Sequence, residues 1–319
     1  MKPATYPRSV YGARLLTIAQ GAWSDHHVGD LPSLLEAGDV LVVNDAFTLP
    51  ASIKGRVHGE DVELRLAEAP VEEAWAVLFG AGDWRSPTEL RPPPPQVRVG
   101  DRIAVSGASV EVRDVHPDHP RLLRVGVALS LVWAAGRPVQ YSYLDRDLQL
   151  ADVQTPYGTH PWAVEMPSAG RPLTLALQSQ LKMHGVEVVA LTHAAGLSST
   201  GEPALDEVLP LPERYAVPDA TWAAVQAARR VVAVGTSVVR ALESAVDGPL
   251  AGVTGLRIGP TTTLQVVDGL LSGMHEPGES HFALMEAFAD RDVLLAANAH
   301  AQAVGYRNHE FGDSTLLWR

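Results

Sequence analysis

The periodicity of the chain changes between Gly55 and Tyr143, and that change limits the fold more than any other feature. Short strand-like segments alternate there with turns: Asp61 to Leu66, Ala74 to Phe79, Arg102 to Val105, Ser109 to Val115 and Leu122 to Val127. Gly-Asp, Ser-Gly and Pro-Asp pairs punctuate them, so the stretch predicts an all-β unit, a small barrel or a sandwich. The run Pro92 to Pro95 cannot sit in a central strand and predicts an exposed extended loop. Outside this stretch, strand and helix patterns alternate. Val40–Val43, Val186–Leu191 and Val231–Val234 are apolar, β-branched runs of buried-strand length. Leu31 to Leu35 predicts a short helix or turn, and Thr174 to His184 a helix ended by Gly185. Pro218-Asp219 opens another helix with Asp219 as its expected N-cap, and Phe282–Ala289 and Val293–Val304 follow as helices. The expected fold class is α/β: a main α/β domain, residues 1–55 and 144–319, interrupted by an inserted all-β, barrel-like domain, residues 56–143. The 319 residues suffice for one large domain or two ordinary ones.

One local segment has the form of a ligand device. In VVAVGTSVVRALES, a buried strand Val231–Val234 meets the turn Gly235-Thr236-Ser237 and then a helix carrying Arg240 and Glu243. Backbone N–H groups, two hydroxyls and a helix N-terminus together favour negative or electron-rich groups. The alternative is a plain strand joined to a plain helix. No Lys follows at P-loop spacing, and the Ser237 context GTSVV is not a nucleophile elbow. Other strands also end in polar residues: Asn44-Asp45 after the first, and Thr192-His193-Ala194-Ala195-Gly196 after Val186–Leu191. DGLLSGMHEPGESH, Gly305-Tyr306-Arg307 and Phe311-Gly312-Asp313 add further polar loops. Such endings are what a crevice along one edge of an α/β sheet needs.

Composition closes several routes. The absence of cysteine rules out disulfides, thiolate metal sites and a Cys nucleophile, and fits a reducing compartment. Met1 to Pro7 carries one Lys and no apolar run, so a signal peptide is not expected, and no run of apolar residues is long enough for a membrane span. A cytoplasmic protein with no membrane partner is therefore expected. The net charge of −12 argues against affinity resting mainly on nucleic-acid phosphates, although a local basic patch is compatible with it. Among the 12 histidines, His275 and His281 stand six apart, and His26-His27 are adjacent. Neither spacing suits a zinc site, so no metal is expected.

Taken together, GDVLVVNDAFTLPA, VVAVGTSVVRALES, LQVVDGLLSGMHEP and GYRNHEFGD resemble the S-adenosylmethionine:tRNA ribosyltransferase-isomerase family of queuosine biosynthesis. The motifs stand in family order from about Arg14 to Leu317. The resemblance implies an α/β domain with an inserted β-barrel. It also implies a reaction: the ribosyl part of S-adenosylmethionine passes to the aminomethyl group of a 7-deazaguanine base in tRNA. There it is rearranged to an epoxycyclopentane, with release of adenine and methionine. No metal or cofactor beyond S-adenosylmethionine as co-substrate is implied.

Residue by residue, the family pattern falls on Asn44 and Asp45, on Gln154, Thr155 and Tyr157, and on Gly235, Thr236, Arg240 and Glu243. It also falls on His193, Glu213, His275, Tyr306 and Asp313. The resemblance makes Glu213 or His193 the general base. The remaining residues of this set, with Ser237, become substrate-binding candidates, Asp45, Thr236 and Ser237 toward the co-substrate. Arg240 is expected to hold a carboxylate or phosphate, or to brace Glu243.

The chain also departs from the pattern. Phe47 and Ser52 stand where the family has arginines, and Gly278 where it has lysine. Pro172 and Leu211 replace family histidines, and Leu197-Ser198-Ser199 replaces Gly-Thr-Phe. The lost basic positions remove candidate phosphate contacts. Two enzymatic readings follow, tRNA modification or S-adenosylmethionine chemistry on another acceptor, with a non-catalytic nucleoside-binding protein as a third.

Overall fold

The computed structural model describes residues 1–319. Nine strands form the main sheet, in the order Ala251–Thr254, Glu213–Ala216, Glu187–His193, Asp39–Asn44, Arg230–Val234, Gly269–Gly273, Ser314–Trp318, Arg14–Ala19 and Ala22–His27. The four central strands, Glu187–His193 to Gly269–Gly273, run parallel. The flanking Glu213–Ala216 and Ser314–Trp318 run antiparallel to their inner neighbours.

Parallel strands buried on both faces should be apolar through their middles, and Val40–Val43 and Val231–Val234 are. Val40, Val42, Val231 and Ala233 belong to the core on one face, with Val238, Leu242 and Leu294. Leu41, Val43, Val232 and Val234 belong to the core on the other, with Leu177 and Leu181. The period-2 alternation thus places successive residues of one strand in two different cores. Helices Asp219–Ala227, Thr236–Val246 and Arg291–Ala303 contribute to the first face, and Leu175–Met183 to the second.

The expected inserted unit is a closed barrel. Ser52–Val57, Glu60–Leu66, Glu73–Phe79, Leu122–Gly126, Ala108–Val115 and Arg102–Val105 pair in that order, and Ser52–Val57 pairs back to Arg102–Val105 through Arg56 and Ala104. Closure removes the exposed sheet edges a sandwich would leave. It also brings backbones close at Gly55, where a Cβ would lie 2.7 Å from Ile103 Cγ2 and 2.9 Å from the Ala104 carbonyl oxygen. The first barrel strand, Ser52–Val57, was not legible in the sequence, and the expected boundary at residue 56 falls within it. Its pattern Ser-Ile-Lys-Gly-Arg-Val carries only two apolar side chains, too few to stand out.

Most expected elements occur within a residue or two of their expected ends. Asp219 is a correction: Pro218 is the N-cap, and Asp219 is the first helical residue, where its charge still favours the helix N-terminus. Two backbone contacts place the site, the first between barrel and α/β part and the second within the α/β part. Leu197 donates its N–H to the Ala67 carbonyl at 3.1 Å, and Val164 donates to the Ala195 carbonyl at 2.7 Å. Val164, Leu197, Leu205 and Leu209 also complete the barrel core. The loop after Glu187–His193 is therefore held between sheet and barrel.

Candidate functional site

Because four neighbouring strands run parallel, their carboxyl ends open on one edge of the sheet. Asn44-Asp45, Thr192-His193, Gly235-Thr236-Ser237 and Ser272-Gly273 all sit there. Gly235 has φ +93°, a left-handed conformation that admits glycine readily and turns the strand directly into the helix. Helix Thr236–Val246 begins one residue later, so both hydroxyl residues of the turn lie in its first turn.

A cavity of about 440 Å³ opens above this turn. Gly235, Thr236, Ser237, Arg240, Glu213 and His275 all line it, which brings six of the expected residues together. Arg240 donates through Nε to the Leu256 carbonyl at 2.8 Å and through Nη1 to the Glu213 carboxylate. Glu213 also accepts the Gly196 N–H at 2.6 Å. Behind Glu213, His193 is fully buried, with Nε2 3.6 Å from the carboxylate and no hydrogen bond to either ring nitrogen. Desolvation pulls the imidazole down to about 4 despite the neighbouring Glu213, so it is neutral at pH 7. The three side chains form a row from solvent inward: a guanidinium, a carboxylate and an unprotonated imidazole.

The sequence leaves Arg240 either to hold a ligand or to brace Glu243. The structure corrects the brace, since its partner is Glu213. Glu243 faces away from the cavity, and its carboxylate accepts the N–H groups of Gln265, Val266 and Val267 at 2.8, 3.0 and 3.0 Å. It is a clamp on the loop that leads into Gly269–Gly273.

Other expected residues are also committed to the framework. Asn44 joins three strand ends: its amide donates to the His193 carbonyl at 2.9 Å and to Ser237 Oγ at 3.4 Å, and its oxygen accepts the His193 N–H at 2.9 Å. Asp45 turns aside to Thr192, Thr159 and His160 at 2.6, 3.1 and 3.2 Å. Gln154 binds both backbone groups of Thr48 at 2.9 Å. Thr155 and Tyr157 are held in the interior with unpartnered hydroxyls, the Tyr157 hydroxyl packed where a Gly170 side chain would stand.

Tyr306 and Asp313, also expected as substrate-binding residues, line neither of the two main cavities. The Tyr306 hydroxyl donates to Asp25 at 2.7 Å. Asp313 takes Arg8 at 2.7 Å and the N–H groups of Arg14 and Arg307 at 3.1 and 2.8 Å. Asp313 thereby ties the N-terminal segment to the C-terminal loop.

A second, larger cavity of about 990 Å³ lies at the seam with the barrel. Glu165, Met166, Ser198, His275 and His281 line both cavities, so the two open into each other. His275 bonds Ser272 Oγ at 3.0 Å and stacks on His281 at 4.7 Å between ring centres. Burial and the neighbouring His275 ring lower His281 to about 3. Glu165 was missed in the sequence, because it sits on an irregular segment with no motif around it. No cluster of three or more His, Cys, Asp or Glu arranged to hold a metal ion is present.

Fold and site define a ligand-binding α/β protein with an inserted barrel, its two joined cavities placed at the carboxyl edge of parallel strands. The chain belongs to the queuosine biosynthesis protein family, whose model matches residues 2–317. It is similar to the S-adenosylmethionine:tRNA ribosyltransferase-isomerase of Acidithiobacillus ferrooxidans, 34% identical over 96% of this chain and 91% of that protein. The protein of the same description from Thermus thermophilus is 35% identical over 96% and 92%. A crystal structure of an S-adenosylmethionine tRNA ribosyltransferase from Thermotoga maritima shares the fold, with a TM-score of 0.53, 23% identity and coverage of 98% and 95%. No helix is long and apolar enough to cross a membrane.

Proposed function

We propose that this chain is an S-adenosylmethionine-dependent ribosyltransferase-isomerase. It moves the ribosyl group to a 7-aminomethyl-7-deazaguanine base in tRNA and releases adenine and methionine. Membership of the family supports the activity. The observation that carries the site is the row Arg240, Glu213, His193 beneath a helix N-terminus, within a cavity large enough for a nucleoside.

The sulfonium of S-adenosylmethionine acidifies the adjacent C5′–H. Glu213 is the group of the row that faces the cavity, so it takes that proton. The electron pair left on carbon forms an ylide, which expels adenine from the ribose. Arg240 pairs with Glu213 in the empty site. A methionine carboxylate arriving at Arg240 shares that positive charge and frees Glu213 at the moment the substrate is present. His193, neutral and unpartnered, packs behind Glu213 and keeps that side of the carboxylate free of a second positive charge. Thr236 and Ser237 offer hydroxyls and helix N-terminal N–H groups to the ribose diol.

The basic residues lost at Phe47, Ser52 and Gly278 favour a second reading, in which the same chemistry serves an acceptor other than tRNA. Incubation with S-adenosylmethionine separates the two. Adenine release that requires tRNA bearing the aminomethyl-deazaguanine is expected. Release at the same rate without tRNA transfers the assignment to the second reading, and cofactor binding with no release rejects both.

A further inference from the structure

Along one wall of the larger cavity, the rings of Tyr141 and Tyr143 lie parallel, 6.1 Å apart at 9°, and His309 continues the stack 4.3 Å from Tyr143. Each tyrosine holds a carboxyl group: the Tyr141 hydroxyl donates to Glu165, and the Tyr143 hydroxyl to Glu310. Ser198 donates to the second Glu165 oxygen at 2.6 Å. Neither acid has a basic side chain in ion-pair contact. Opposite charge is nevertheless present in the form of Arg65, only 1% exposed and reaching the same cavity from the barrel. Its Nε is bonded to Glu63 at 2.6 Å, but its Nη1 is buried with no partner, and the guanidinium lies 5.7 Å from the Tyr141 ring centre. An orphaned guanidinium N–H is costly unless a ligand meets it.

We propose that this cavity is the acceptor-base chamber, in which Arg65 and Glu165 read the hydrogen-bonding edge of a guanine-type base and Glu310 pairs with its aminomethyl ammonium. The proposal rests on the acceptor assigned above. A guanine-type edge presents one carbonyl acceptor beside two N–H donors, and a guanidinium N–H beside a carboxylate is its complement. A base taken out of its stack is held by such edge contacts and by aromatic faces, and the tyrosine pair supplies the faces. Glu310 also performs a step. The acceptor ammonium must lose a proton before its nitrogen can attack: the N–H bond breaks, the proton passes to the Glu310 carboxylate as an O–H bond, and the nitrogen lone pair is released. Desolvation raises the Glu310 carboxyl to about 7, which suits that exchange near neutrality. The cavities meet at Glu165, so a base read there lies at the opening into the smaller chamber.

The test is calorimetric titration of free 7-aminomethyl-7-deazaguanine and its uncharged 7-cyano analogue into the S-adenosylmethionine-loaded protein. The wild type is expected to prefer the aminomethyl base by about tenfold or more, since a charged hydrogen bond is worth about 1.5–3 kcal/mol. Glu310→Gln should remove that preference and leave S-adenosylmethionine affinity, titrated alone, within about twofold. Glu165→Gln should weaken both bases alike. Thermal melting of each variant establishes that it is folded. If Glu310→Gln does not fold, Tyr143→Phe serves instead. By removing the phenol donor it should move the preference for the amine to higher pH. A preference that survives Glu310→Gln, or an unshifted pH dependence in Tyr143→Phe, overturns the proposal, as does failure of either base to bind while tRNA turnover proceeds. Base binding with the expected preference but no turnover supports the chamber and counts against the ribosyl-transfer reading instead.

Discussion

The two cavities differ in how their charges are compensated. In the smaller, Glu213 is already matched by Arg240 and by the Gly196 N–H before any ligand enters. In the larger, Glu165 and Glu310 have hydroxyl partners only, and the Arg65 Nη1 has none. A site with its charges paired is pre-formed, and a ligand works by redistributing that pairing. A site with unpaired groups is completed by its ligand and discriminates strongly, because a wrong ligand leaves those groups unsatisfied. The contrast fits the proposal that the smaller chamber takes the reactive co-substrate and the larger selects the acceptor.

Replacing Glu213 by Gln is the severest way to break this contrast. Turnover should fall by about 10²–10⁴-fold, the usual contribution of a positioned base, with S-adenosylmethionine affinity little changed. Steady-state kinetics and calorimetry check the split, and a loss of affinity equal to the loss of turnover would make Glu213 a binding group only. Arg240→Met should then cost about 3–5 kcal/mol in denaturant unfolding, because Glu213 is left charged and buried. The double variant Arg240→Met with Glu213→Leu should recover most of that loss, and no recovery would show the pair to be incidental.

The next effect depends on pH. Folding lowers His193 to about 4, so the unfolded chain binds more protons between pH 4 and the ordinary histidine range. The stability contributed by the neutral ring is therefore present above that range and is lost as pH falls toward 4. A tenfold change in proton affinity is worth about 1.4 kcal/mol, so His193→Asn should melt with a visibly shallower decline than wild type between about pH 6.5 and pH 4. Equal slopes would remove His193 as the buried neutral member of the row. Glu310 has the opposite sign: its raised pKa makes its ionisation a cost that grows as pH rises from the ordinary glutamate range to about 7. Relative to wild type, Glu310→Gln should therefore melt higher at about pH 8 than at about pH 5, by a smaller margin. A difference independent of pH would show that Glu310 is not the strained acid of the larger cavity.

The parts of the fold that were legible had strong local patterns. Val40–Val43 and Val231–Val234 announce themselves because strands buried on both faces are apolar through their middles. Barrel segments such as Ala74–Phe79 were legible by turn spacing, whereas Ser52–Val57 was not, its interior Lys, Gly and Arg masking the alternation. The strand-turn-helix at Gly235 was legible because glycine, hydroxyls and helix start are local. Arg65, Tyr141 and Tyr143 were not, because they carry no motif, and Glu310 stands inside GYRNHEFGD without anything local that marks it as facing a cavity.

Residue identity and order alone determined that an all-β unit interrupts an α/β part, that the strand ends carry polar groups, and which family the chain resembles. These follow from periodicity and short motifs, which depend on neighbours in the chain. Only the tertiary structure decided what each polar residue is for. Glu213 and Glu243 are both buried acids from the same motif set, yet one meets an arginine at a cavity and the other three backbone N–H groups in a loop. Hydrogen-bond partners come from segments 17 to 27 residues away for both. A carboxylate's role is set by which donors reach it first, and that is a property of packing.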